Sequence, residues 1–414
     1  MRILLANKFF YDHGGPESVL FATRDLLAAR GHDVIDFAMQ HPDNRPSPYA
    51  AYFAPYRDLR TIRPSPATLG AALNFVDSRE AARCLRRLVR DHRPDVAHLH
   101  SINHQITPSI IRALRDEGVP VVMTLHDYKL VCPAYTLRAH GAICERCSGG
   151  RFYRAATTRC RGLARGVLLS AESYVQHRLL RSYEKVRLFL SPSRFLAEKF
   201  REMGFPYPVE VLPNPAVSVT PAAPGAPARR DGFVFVGRVA EEKGVATLCE
   251  AASLAGVAVR IVGDGPALSE LQTRYAGRPG IEFLGRRAPA EAQALMRGAL
   301  AVVVPSEWYE NQPMVVIEAF VAATPVIGSR LGGIPELVRD GETGLLYDAG
   351  NIAGLASKLR WAREHPGEMA AMGERARAAA SDLSLERHYE RLLSVYERVL
   401  AQRPAAVSPA EVRA

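Results

Sequence analysis

From Phe233 onward, short apolar runs and helical stretches alternate strictly, and this pattern admits very few folds. Strands are expected at 233–236, 258–262, 281–284, 301–304 and 325–328, with helices between them. Four- or five-residue apolar runs fit strands buried on both faces, and their alternation with helices is the signature of a doubly wound parallel sheet. Three of the strands end in glycine: Gly237-Arg238, Gly263-Asp264-Gly265 and, after a short extension, Gly332-Gly333. Glycine at the carboxyl edge of such a sheet lets backbone approach phosphate closely, and that edge is where open α/β sheets bind ligands.

The densest group of polar residues at this edge lies within PSEWYENQPMVVIEAFVAATPVI, 305–327. Glu310 falls in the loop after a strand, and Glu318 about a turn and a half inside a helix expected at 313–322. Pro313 is placed as first helical residue, so the free N–H groups behind it would face an anion. The spacing Glu310-x7-Glu318 suits a ligand with sugar hydroxyls at one end and phosphate near its middle; an ordinary strand-turn-helix with surface acids is the competing reading. Arg238 and Lys243, in GRVAEEKG, flank the start of the first helix of this half. Two cations there would neutralise a diphosphate, Arg238 by a bidentate contact and Lys243 as a point charge, unless they pair with Glu241 and Glu242.

The first half repeats the pattern less regularly. A strand at 1–6, a polar loop at 7–16 with Gly14 and Gly15, a helix at 17–30 and a strand at 33–37 form a parallel unit whose loop faces the ligand edge. Residues 41–66, with Tyr49, Tyr52, Phe53 and Tyr56, leave the sheet as an excursion whose aromatics pack on the domain surface or cover an acceptor. A helix (78–92), strand (95–100), helix (108–117) and strand (120–125) follow. The last strand runs into His126-Asp127, which gives His126 a ligand-contacting position. After an interruption come a helix (166–182), strand (186–190), helix (193–203) and strand (209–212). The Pro- and Ala-rich stretch 213–232 reads as an interdomain linker, the helix 385–401 is long enough to cross back onto the first domain, and 402–414 is expected to be a disordered tail.

At 414 residues, two domains are expected: 1–212, carrying an insertion at 129–165, and 233–384. The N-terminus reads as a first strand and not a signal peptide, and no apolar run approaches the ~20 residues of a membrane span. A cytoplasmic protein is therefore expected, in which six cysteines do not signal a disulfide framework. Four of them crowd the insertion as Cys132, Cys144, Cys147 and Cys160, in the spacing C-x11-C-x2-C-x12-C. A structural zinc is the leading expectation, against free thiols and against an iron–sulfur or redox site. The net charge of +10 concentrates here too, with seven arginines between Arg138 and Arg165 against Glu145 alone. The readings are a solvated loop, a patch for anionic lipid or a phosphate-bearing acceptor, and, last, a nucleic-acid site, for which stacking aromatics are few.

With these residues in view, the chain resembles the glycosyltransferases of family 4, retaining GT-B enzymes that use nucleotide-sugar donors. The resemblance rests on the Gly14-Gly15 loop, His126-Asp127, GRVAEEKG, GDGP, Glu310-x7-Glu318, TPVIGS and GGIPELV. It implies two facing Rossmann-like domains, the second holding most of the nucleotide and the first the acceptor. It further implies that Glu318 binds the ribose, that Arg238 and Lys243 hold the diphosphate, and that Glu310 and His126 touch the transferred sugar from opposite domains. Gly14 and Gly15 would bring backbone N–H groups to phosphate, Gly263 would line the nucleotide site, and Arg286 would lie near the base. Where many relatives have glycine after the first glutamate, this chain has Gln312-Pro313, so phosphate contacts are expected at Met314 and Val315. The expected reaction needs no metal or other cofactor. It moves a sugar from a UDP- or GDP-type donor to a saccharide or lipid-linked acceptor in polysaccharide assembly, with peripheral contact to the inner face of an anionic plasma membrane. A nucleotide-sugar epimerase or hydrolase is the nearest rival, and a zinc-stabilised nucleic-acid-binding protein a remote one.

Overall fold

The protein is represented by a computed structural model that describes residues 1–56, 74–217 and 230–402. Its first sheet contains β1 (Arg2–Ala6), β2 (Asp33–Phe37), β3 (Val96–Leu99), β4 (Val121–Thr124), β7 (Leu188–Ser191) and β8 (Val209–Val211), in the order β2-β1-β3-β4-β7-β8. Every pairing is parallel, Ile3 lying opposite both Val34 and Val96. The second sheet contains β9 (Phe233–Val236), β10 (Val259–Val262), β11 (Ile281–Gly285), β12 (Ala301–Val304), β13 (Val326–Ser329) and β14 (Gly344–Tyr347), in the order β11-β10-β9-β12-β13-β14. Strand order reverses between β9 and β12, so the loops after these two strands flank the crevice where ligands of doubly wound sheets bind.

Strands such as AVVV and FVFV are apolar at every position because helices cover both sides of the sheet. The first domain buries one such layer around Leu4, Leu85, Ile110 and Phe189, and another around Ile3, Leu5, Val96 and Leu190. That second layer is closed by the last helix, Leu385–Ala401, through Leu392, Val395, Tyr396 and Val399. The crossover expected for this helix is thus made of ordinary side-chain burial, about 25 cal/mol for each Å² of apolar surface.

Several boundaries differ from the sequence expectation. The helix 166–182 begins earlier and ends sooner, as Leu163–Tyr174, continues as a π-turn at Val175–Leu179, and stops at Arg181 in the left-handed region. Pro313 lies just before the helix Met314–Val321 with extended φ and ψ, so it is the capping residue and not the first helical one. A sixth strand, β14, and a hairpin of β5 (Arg138–Ala139) and β6 (Ala142–Ile143) inside the insertion were not expected. In the 41–66 excursion, Phe53 packs into a small core with Phe10, Phe21 and Ala38, and Tyr49 lies against it. Residues 57–66 of that excursion, 218–229 of the linker and 403–414 of the tail lie outside the described residues.

Candidate functional site

The strand ends at the reversal of the second sheet bring Lys243 and Glu310 together. Lys243 follows β9 and Glu310 follows β12; Lys243 Nζ donates to Glu310 Oε1 at 2.7 Å, and Ser306 Oγ donates to the same oxygen at 2.6 Å. Burial pushes the Glu310 carboxyl up, but the Lys243 charge and the two donors outweigh it and hold the group below its ordinary value. A buried anion is therefore already compensated by a cation that can also meet an incoming phosphate. The Lys243 ammonium lies 5.1 Å from the centre of the Trp308 ring, which bounds its reach on one side.

Glycines make this geometry attainable. Gly244, at φ +66°, packs where a Cβ would stand 1.9 Å from the Pro305 carbonyl oxygen, and Gly333 where a Cβ would stand 1.7 Å from that of Asn311. Gly333 N–H donates to the Glu310 carbonyl at 2.7 Å, so the GGIPELV loop props the loop that carries Glu310. Gly263 has a related use: a Cβ on it would stand 1.8 Å from the Gly237 carbonyl oxygen, so it serves the close stacking of two strand-end loops.

Glu318 lies about one turn inside the helix Met314–Val321, half-buried, and burial raises its carboxyl above the ordinary value. No hydrogen-bond or ion-pair partner accompanies it among the described residues, so it is available to the hydroxyls of a ligand. Met314 and Val315 supply the first N–H groups of their helix, which have no intrahelical acceptor. Gly15 opens the helix Gly15–Ala29 of the other domain, with Gly14 as its capping residue. A Cβ on Gly15 would lie 3.6 Å from Met314 Cγ, so two helix starts face one another across the domain boundary. Arg238 is more than half exposed and pairs with Glu242, as the alternative reading of its spacing anticipated; Lys243 instead takes Glu310. Arg286, after β11, is exposed at the far edge of the sheet and stands apart from this cluster.

His126 stands two residues after the end of β4. Its Nε2 lies 2.8 Å from His100 Nδ1, with the rings stacked at 5.1 Å, and burial lowers its imidazole to about 4, so it is neutral near pH 7. Its carbonyl accepts a 2.6 Å hydrogen bond from Asn311 Nδ2. Tyr128 Oη donates to the Tyr309 carbonyl at 3.1 Å, so the residues flanking Glu310 are both pinned to the first domain. Ser306, Asn311, Tyr128 and His100 were missed by sequence reasoning. Asn311 and Ser306 stood inside the 305–327 motif as a signal, whereas His100 gave only its place at a strand end.

The four cysteines of the insertion gather around Cys147, whose thiol is pushed up to about 12, first by burial and then by Cys132, Cys160 and Cys144. All are free thiols. Cys132 and Cys147 pack in the core of the first domain beside Leu137, Phe152 and Ala155. Among the described residues no three His, Cys, Asp or Glu side chains are placed to hold a metal ion. Cys132 and Cys147 are also buried, in apolar surroundings that suit a sulfur as a small hydrophobic group.

Comparison with known proteins agrees with this fold. Residues 13–216 match the family model "Glycosyltransferase Family 4", and residues 220–379 match "Glycosyl transferases group 1". The alpha-maltose-1-phosphate synthase of Mycolicibacterium smegmatis is 29% identical over 323 residues, which cover 75% of this chain and 76% of that protein. Several further curated relatives, among them a D-inositol 3-phosphate glycosyltransferase of Mycolicibacterium paratuberculosis at 33% identity, are matched over less than half of their own length. Among solved structures, sucrose-phosphate synthase from Thermosynechococcus elongatus superposes with a TM-score of 0.71 at 19% identity, covering 97% of this chain and 99% of that one. Anabaena HepE, solved in complex with UDP and glucose, gives 0.63 at 18% identity, with 96% and 99% coverage. Similarity at that level concerns the fold.

Proposed function

Because this chain belongs to the family 4 glycosyltransferases and has their GT-B fold, we propose that it moves a sugar, with retention, from a nucleoside-diphosphate sugar to a saccharide or lipid-linked saccharide acceptor. The observation that carries the reading is the Lys243–Glu310 contact at the sheet's reversal, with partnerless Glu318 and the Met314 helix start behind it and His126 opposite. Glu318 takes the ribose hydroxyls. Lys243, Arg238 and the N–H groups of Met314 and Val315, with those of Gly14 and Gly15, take the diphosphate, Gly263 shapes the floor, and Arg286 meets the base once the site is occupied. Solved structures of HepE contain UDP and UDP-glucose, which favours a UDP-type donor.

As the bond between the anomeric carbon and the leaving oxygen breaks, negative charge builds on the phosphate. Fixed cations and helix N–H groups stabilise that charge more in the transition state than before it. The acceptor oxygen attacks from the face that the phosphate leaves, and a phosphate oxygen takes its proton. Protein cations can fill the electrostatic role that a divalent metal fills elsewhere, so transfer is expected to need none. Glu310 and neutral His126 hold the sugar from opposite domains, and polysaccharide assembly at the cytoplasmic membrane face is the setting this acceptor class suits.

The test is a thermal-shift panel of UDP, GDP, ADP and CMP in chelator, followed by turnover of Lys243→Ala with the selected donor. A ligand at 100 times its dissociation constant adds about 2.7 kcal/mol to stability, so one nucleoside diphosphate should give a clear, selective shift. Lys243→Ala should lower kcat by at least ~10²-fold in folded protein. Absence of any shift, or near-normal turnover of the variant, would overturn the assignment.

A further inference from the structure

The helix Leu163–Tyr174 of the insertion turns the wrong kind of surface to water. Its inner face is fixed: Gly166 packs where a Cβ would stand 2.7 Å from the Ala155 carbonyl oxygen, Ser170 Oγ donates to the Phe152 carbonyl at 2.8 Å, and Glu172 pairs with buried Lys129. The outer arc then carries Leu163, Ala164, Val167, Leu168 and Ala171 within about 140° at ~100° per residue, with half-buried Tyr174 on the same arc packed against Phe152. Leu163 is 55% exposed and Val167 52%. A surface helix ordinarily carries charge on that arc; here Arg165, about 60° beyond it, is the one exposed charge of the helix. Leu179, on the π-turn that follows, is 75% exposed.

The insertion that carries this stripe is cationic. Arg146, Arg151, Arg154, Arg159, Arg161 and Arg165 are all exposed and have no carboxylate partner among the described residues. Two arginines lie over exposed tyrosines, Arg154 over Tyr153 at 5.2 Å and Arg161 over Tyr135 at 5.0 Å. An exposed apolar stripe beside unpaired arginines and amphipathic rings matches the layering of an anionic bilayer surface, with phosphates outside and acyl chains beneath. The helix is 12 residues, about 18 Å, too short to span a ~30 Å hydrocarbon core.

We propose that this face docks the protein, in plane, on a membrane rich in anionic phospholipid. The docked helix is tied to the site: Glu172 holds Lys129, whose N–H donates to Asp127 Oδ1 at 2.8 Å, next to His126. Docking therefore sets against the bilayer the domain that carries His126 and Asp127. The docking surface goes beyond the transfer reading and does not depend on it, since nucleotide binding reports on the second domain and vesicle binding on the insertion.

The test is co-sedimentation of the full chain with vesicles of phosphatidylcholine alone and with added phosphatidylglycerol, at low and high salt. Binding should appear with phosphatidylglycerol and weaken with salt. Leu163→Glu/Val167→Glu should weaken it by about tenfold or more. Leu254→Glu, which alters an equally exposed leucine of the second domain, should leave it unchanged, and all three proteins should keep the same nucleotide-induced thermal shift. The proposal is overturned if the wild-type chain ignores phosphatidylglycerol vesicles, if the double variant binds them as the wild type does, or if the stripe instead mediates self-association that the double variant abolishes without any vesicle binding.

Discussion

His126 and His100 share a single contact between two ring nitrogens 2.8 Å apart, and burial lowers both imidazoles, so near neutral pH one proton lies in that contact. Whichever ring carries it decides whether His126 Nδ1 is a donor or an acceptor. His100 Nε2 is buried without a partner among the described residues, and on the core side the stack continues to His98, held by Tyr396 Oη at 2.8 Å and Thr124 Oγ1 at 2.7 Å. His100 is thus a positioning residue for His126. His100→Ala should lower kcat/KM by about ten- to a hundredfold. His100→Asn, whose amide can occupy the Nδ1 position, should recover most of it. Equal losses in both variants, measured by steady-state kinetics on protein of unchanged melting temperature, would argue against a positioning role. At this scale the sequence offered the identities of Glu310, Lys243 and His126, but not their partners. The Lys243–Glu310 pair joins residues 67 apart through two loops, and nothing in local spacing ranked it above the adjacent Glu241 and Glu242.

Among the elements, the loop 332–333 decides where Glu310 stands. A methyl group on Gly333 would overlap the Asn311 carbonyl, and backbone cannot yield as a flexible side chain can. Gly333→Ala should therefore displace the segment from Glu310 to Asn311, which also anchors the His126 carbonyl. We expect kcat to fall by about a hundredfold, as an ångström-scale misplacement can cause, while far-ultraviolet circular dichroism stays native. An unchanged kcat would show that the Glu310 loop tolerates the shift. Elements with strong periodicity were legible from sequence alone: β9 and β12 occupy the residues expected of them because fully buried strands leave uninterrupted apolar runs. The misses have equally physical causes. GLLY at β14 is four residues long, starts with glycine and follows a charged turn. The limits of the helix expected at 166–182 are hidden in the sequence because its outward face is apolar, which erases the contrast that marks a helix's ends. The cysteine spacing alone did not disclose that Cys132 and Cys147 are also part of the first domain's core.

Across the whole molecule, the two domains are joined by contacts between residues far apart in the chain, which no local pattern discloses. Glu336 caps the helix Arg194–Glu202 of the first domain through the N–H groups of Arg194 and Phe195, and Arg138 of the insertion pairs with Glu241 at 2.8 Å. The crossover helix adds a tether with a distinct pH dependence. His388 on that helix lies 3.0 Å from the Pro213 carbonyl and 3.4 Å from Thr23 Oγ1, while His98 in β3 meets Tyr396 on the same helix. Burial lowers His98 to about 3 and His388 to about 4, against 6.5 for a solvated imidazole. Between those limits the unfolded chain binds protons that the folded one refuses, so stability falls as pH drops through 6.5 and keeps falling toward about 4. Each such histidine contributes a slope of up to about 1.4 kcal/mol per pH unit, and His126 adds a third. Urea unfolding at pH 7 and pH 5 should show the acid sample less stable by several kcal/mol. His388→Gln, which keeps a hydrogen-bonding side chain but cannot be protonated in this range, should flatten the dependence by roughly one histidine's share. An unaltered slope would mean that His388 already exchanges its proton in the folded state, and that the tether to the first domain opens before the sheets do.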